Sequence, residues 1–128
     1  MSITYNELLH GHLISDVPLT AQMRLEVLLT SINAFRAVYG HQMIVTSGYR
    51  SEADQRRINA SAPHSKHRTG DAVDISDPDG YLYAYCYASQ DILEQCGLWC
   101  ELGTHGWVHF QCVPFGSYKP NGTRFFAP

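Results

Sequence analysis

"SKHRTGDAVDIS", residues 65–76, decides how this chain is read. Gly70 punctuates a polar run, and an alternating apolar segment, Ala72-Val73-Asp74-Ile75, follows at once. The alternation describes a strand, yet Asp74 stands where a strand normally keeps a small apolar residue. A buried carboxylate costs several kcal/mol unless it is paired or bound to a metal. His67, seven residues earlier, is the first candidate partner. On spacing alone two readings stand. Either a loop turning at Gly70 and the strand after it bring His67 and Asp74 to one metal, or Asp74 caps something locally and His67 is a surface histidine.

The 128 residues suit a single domain, 1–128, with one site. Nine basic residues stand against twelve acidic ones, a formal charge of −3, and the arginines are scattered apart from Arg56-Arg57, so no footprint for nucleic acid is present. Charged residues make up 16% and apolar ones 45%, the balance of a globular chain and not of a disordered one. The N-terminus, Met1-Ser2-Ile3-Thr4-Tyr5-Asn6-Glu7, lacks the basic and apolar regions of a signal peptide. No run approaches the roughly 18 apolar residues of a membrane span. The expectation is synthesis in the cytoplasm without a signal peptide, a soluble monomer, and no membrane insertion. Cys86, Cys96, Cys100 and Cys112 form no C-x-x-C pair and read as free thiols that pack as small apolar groups, with a disulfide or a cysteine metal site as the alternatives.

Leu25, Leu28, Leu29, Ile32, Phe35 and Val38 recur at helical spacing between Thr20, read as the N-cap, and Gly40, read as the stop. Met43 to Thr46 is a short β-rich run, and Ser51-Glu52-Ala53-Asp54 reads as a capping box that opens a second helix through about Asn59. A third helix is expected from about Gly80 to Gln95, with Gly97 as its stop, and strands near Leu98–Glu101, Trp107–Cys112 and Arg124–Ala127. Helices at the front and middle with strands toward the back predict an α+β domain, its sheet mostly antiparallel and its N-terminal helices packed on one face.

In Trp107-Val108-His109-Phe110-Gln111, period-2 alternation sets Trp107, His109 and Gln111 on one face and Val108, Phe110 and Cys112 on the other. The core lies opposite His109, which therefore looks toward a polar cleft. One Asp and two His suit Zn2+, and three protein ligands with a fourth position open mark a catalytic and not a structural zinc.

The pattern Ser65-x-His67-x-x-Gly70-x-Ala72-x-Asp74, preceded by Ser47-Gly48-Tyr49-Arg50-Ser51 and followed by Trp107-Val108-His109, resembles the zinc-dependent D-alanyl-D-alanine carboxypeptidase family. That family includes phage endolysins that cleave L-alanyl-D-glutamate bonds. The likeness runs from about Met43 to the end, and the closing Arg124-Phe125-Phe126-Ala127-Pro128 is similar to the tails of short phage-encoded members. The resemblance implies that His67, Asp74 and His109 bind zinc, that Arg50 contacts the substrate, and that the scaffold is the one shared with the hedgehog signalling domain.

One position departs from the family. Many members carry an acid three residues before the last ligand histidine, as general base, and here that position is Gly106. Two candidates for the base remain. Glu101 ends a predicted strand in a neighbourhood where short phage-type members carry an acid, and His105 could take a proton near neutral pH. Glu101 is the favoured one. Arg50 offers a planar fork suited to a carboxylate or carbonyl oxygen, with Ser47 and Tyr49 shaping its loop at the substrate side. Ser65 is expected to steady His67 or its loop, Asp71 to be exposed, and His10, His12, His41 and His64 to face solvent. The expected function is a zinc peptidase, carboxypeptidase or endopeptidase, acting on peptidoglycan stem peptides or cross-links as a phage-type lysis enzyme once released to the cell wall. A non-catalytic zinc-containing binding module on the same scaffold is the alternative.

Overall fold

Residues 2–114 and 123–127 are described by the structure, a computed structural model. Thr4 caps the first helix, α1 (Tyr5–Leu9), through a capping box with Glu7. After a short 3-10 turn at Ile14–Asp16, α2 runs from Leu19 to Tyr39. Its stripe of Ala21, Leu25, Leu28, Ile32 and Phe35 is buried, as the four-three spacing requires. Two details differ from expectation. Pro18 and not Thr20 holds the N-cap position, because a φ of −54° suits the helix entry and Pro has no N–H to leave unpaired. Val38, near the C-terminal end, is exposed, while its half-buried neighbour Tyr39 continues the stripe by stacking on Phe35.

The sheet has the order β1-β2-β4-β3-β5, formed by β1 (Val45–Ser47), β2 (Ala72–Asp77), β3 (Trp99–Glu101), β4 (Gly106–Gln111) and β5 (Phe125–Phe126). All its pairings are antiparallel except β3 with β5, which agrees with the predicted α+β class and mostly antiparallel sheet. Val73 and Ile75 of β2 and Val108 and Phe110 of β4 turn into the core shared with α2. The alternate residues of these strands, Asp74 and His109, point the other way.

Between β1 and β2 the chain forms α3 (Glu52–Asn59), opened by the expected Ser51–Asp54 capping box, and α4 (Lys66–Thr69). The expected loop at His67 is thus one helical turn, capped by the Ser65 hydroxyl, which accepts from the His67 N–H at 3.3 Å. Gly70 ends it at φ +83°, and a Cβ there would lie 2.6 Å from the Ala21 carbonyl oxygen of α2. Gly70→Ala should therefore lower the unfolding free energy of the metal-free protein by about 1–3 kcal/mol in urea titrations.

The predicted third helix divides into α5 (Tyr81–Ala88) and α6 (Gln90–Cys96). Ser89, at φ −126° and ψ 46°, leaves the helical region between them, and the Asp77 carboxylate accepts from Leu82 N and Tyr83 N at the start of α5. Asp71 is buried, contrary to expectation. It faces away from the cleft, but that side is interior: Arg24 Nη1 donates to it at 3.3 Å, Thr69 Oγ1 donates at 2.5 Å, and the Cys112 thiol lies 3.7 Å away. His12 is half-buried, its Nε2 2.6 Å from Asp54, so only His10, His41 and His64 are solvent-facing as expected.

All four cysteines are free. Burial raises the Cys96 thiol, burial and the neighbouring Cys86 raise Cys100 further, and burial with the Asp71 carboxylate pushes Cys112 up to about 12. Among the described residues no helix is long and apolar enough to cross a membrane.

Candidate metal centre

The sheet register gathers the site into one row. Ser47 pairs with Asp74, and Asp74 pairs with His109. Continuing the β3–β4 register of Trp99↔Gln111 and Cys100↔Phe110 by one step sets Glu101 beside His109. Residues on one cross-strand row point to one face, so Asp74, His109 and Glu101 share the cleft side of the sheet. The α4 turn delivers His67 from above this row.

Asp74 Oδ1 lies 3.3 Å from His67 Nε2 and 3.0 Å from His109 Nδ1. The three ligand atoms fall within 4.8 Å of one another, and no other group of three or more His, Cys, Asp or Glu converges in this way among the described residues. Burial pushes the Asp74 carboxyl up, but bonding to His109 and His67 and their charges outweigh it and hold it well below the usual carboxylate range. Burial pushes His67 down, with the His109 and Arg50 charges acting in the same sense, and Asp74 only partly offsets them. Burial also acts downward on His109, yet Asp74, Gln111 and the Glu101 charge leave it raised.

Whether a cation fits follows from the lone pairs. His67 Nδ1 donates to the Gly48 carbonyl at 2.9 Å, so its Nε2 carries the lone pair and faces the Asp74 carboxylate. Two acceptors at that separation repel, and burial resists placing a second proton on His67. A divalent ion held by His67, Asp74 and His109 resolves the conflict, and the set of two imidazoles and one carboxylate suits zinc.

Two connected clefts, of about 410 and 390 Å3, meet at this cluster and share Ala62, Ser65, Glu101 and His109. The first extends past Arg50, Gln55 and Trp107, the second past Pro63, His64 and Phe126. Arg50 is largely buried, and its Nη2 stands 3.8 Å from Asp74 Oδ2. Ser47 Oγ accepts from its Nε and Nη2 at 3.3 and 3.1 Å, and Gln55 Oε1 accepts from Nη1 at 3.2 Å. Ser47 thus positions the arginine. Tyr49 is buried, with its ring edge against His12, and borders a separate groove beyond Arg50. His105 is exposed and lines neither cleft that meets the cluster.

A family model described as peptidase M15 matches residues 2–110. The chain belongs to the peptidase M15 family. No curated protein and no solved structure matches it. Peptidases of the M15 family are zinc enzymes, which makes the His67, Asp74 and His109 cluster the candidate metal site of this one. The match begins well ahead of Met43, where the motif likeness starts, and it ends just past His109. The similarity of the closing residues 124–128 lies outside it, and Pro128 is outside the described residues. Gly106, three residues before His109, has φ +92°, a conformation that a side chain adopts only with strain. The backbone of this M15 chain thus favours glycine there, and Glu101 is the carboxylate that lines the clefts besides the ligand candidate Asp74.

Some participants escaped the motif reading. Gly48 contributes its carbonyl to His67, and a Cβ on it would meet the Leu8 carbonyl oxygen of α1 at 2.4 Å. Gln55 is buried and holds Arg50, yet a glutamine inside a helix carries no sequence signal for such a role.

Proposed function

We propose that this M15 chain is a zinc-dependent endopeptidase of peptidoglycan peptides, with His67, Asp74 and His109 as metal ligands and Glu101 as general base. The observation that carries this reading is the convergence of those three ligands in a cleft that also contains Glu101. When bound there, zinc would polarise the scissile carbonyl and acidify the attacking water. Glu101 would accept the proton from that water and return it to the leaving amine. Arg50, held flat by Ser47 and Gln55, would bind a substrate carbonyl or carboxylate oxygen and orient the peptide along the cleft.

Cleavage inside a peptide is favoured over removal of a terminal residue because clefts extend on both sides of the cluster. Peptidoglycan as substrate, and service as a phage-type lysis enzyme, rest on the likeness of the Ser65–Asp74 and Trp107–His109 motifs to endolysins. Purified peptidoglycan incubated with the protein should release soluble peptide fragments, and a chelator should stop the release. Free D-alanine as the sole product would make it a carboxypeptidase. A protein that holds zinc and cleaves nothing would be a binding module.

Arg50→Ala should lower kcat/KM by about 10- to 100-fold, the loss of a charged hydrogen bond worth about 1.5–3 kcal/mol, with zinc content unchanged. Arg50→Lys should recover only part of it, because a point charge does not reproduce the fork. Kinetics like the parent's in both variants would leave Arg50 a purely structural role.

A further inference from the structure

Gln111 stands two residues beyond His109 on the same strand face, in the middle of the sheet, where its backbone pairs with Ala72 on one side and Trp99 on the other. It is 2% exposed, a rare setting for an amide side chain without a task. Its Nε2 donates to the Val113 carbonyl at 2.9 Å, and its Oε1 lies 2.9 Å from His109 Nε2.

These contacts fix the hydrogen on one ring nitrogen of His109. The Val113 carbonyl can only accept, so the amide NH2 group must face it. Gln111 Oε1 then faces His109 and can also only accept. His109 Nε2 must carry a hydrogen, so in the neutral ring that a metal requires Nδ1 holds the lone pair and faces the cluster, 3.0 Å from Asp74 Oδ1. His67 reaches the opposite tautomer by donating from Nδ1 straight to the Gly48 carbonyl. Each imidazole is thus set by a backbone carbonyl, His67 directly and His109 through the Gln111 amide.

We infer that Gln111 is a positioning residue for the metal centre, holding His109 as the Nε2–H tautomer so that Nδ1 is free to bind zinc. The inference rests on the metal-site reading above. It also explains why an acceptor is needed at 111: an apolar side chain would leave His109 free to donate from Nδ1 to Asp74, which occupies the very lone pairs that the cation uses.

The test is zinc affinity, measured by competition with a chromophoric chelator, together with the ring N–H signal of His109 in the zinc-loaded protein. Gln111→Met keeps the volume and removes the acceptor, and should weaken zinc binding about 10- to 100-fold, whereas Gln111→Glu, which keeps an acceptor toward His109, should stay within about threefold of the parent. The His109 Nε2–H proton should resonate downfield and exchange slowly in the parent and in Gln111→Glu. Equal zinc affinity in Gln111→Met and the parent would overturn the inference while leaving the metal site intact. So would a parent signal showing His109 bound through Nε2. A parent that binds no zinc would overturn the metal-site reading and this inference with it. Should Gln111→Met fail to fold, the parent's ring signal still decides.

Discussion

Asp74→Ala is expected to take the zinc content of the purified protein from about one per chain to near zero, and hydrolysis with it. Asp74 lies between the two imidazoles on a central strand, with Oδ1 3.3 Å from one and 3.0 Å from the other. It is the only anion among the three ligands, so its loss leaves two neutral donors beside the Arg50 cation. Asp74→Asn should behave nearly as badly, since it keeps the shape and loses the charge. His67→Ala and His109→Ala should likewise lose most of the metal. Elemental analysis after dialysis is the measurement, and a full equivalent of zinc in any two of the alanine variants would refute the ligand assignment.

Glu101→Gln should retain zinc and lose about 10²- to 10⁴-fold in kcat, because the amide keeps the size of the side chain and removes its basic oxygen. The cross-strand row sets Glu101 beside His109 in the cleft, while the exposed His105 lies outside it. His105→Ala should accordingly stay close to the parent. The opposite ordering in steady-state kinetics would move the proton-accepting role to His105, and parental rates in both variants would remove it from each.

Local patterns carried much of this into the sequence. The Ser51–Asp54 capping box, the α2 stripe and the alternation in β2 and β4 are properties of neighbouring residues, and each could be read without knowing the fold. Asp74 and His109 were legible for the same reason, since an acid and a histidine interrupt otherwise apolar strands, while His67 stood out only by its place in the motif before Gly70. What stayed hidden depends on partners distant in sequence. Asp71 reads as exposed until Arg24, 47 residues away, is seen to meet it, and Asp54 reads as a simple cap until His12 closes on it from 42 residues away. The break at Ser89 also escaped, because the apolar face runs through it without interruption. The row that brings Glu101 to His109 is a matter of strand register, which no local spacing encodes.

The four cysteines bear on how the folded chain meets thiol reagents. The reactive species of a cysteine is its thiolate, and Cys96, Cys100 and Cys112 are all held toward the protonated form while Cys86 is fully buried. Alkylating reagents at neutral pH should therefore label the buried Cys86 and Cys100 slowly. A thiol titration of the folded protein should accordingly count fewer reactive groups than the same titration in denaturant, with Cys86 and Cys100 the last to be labelled.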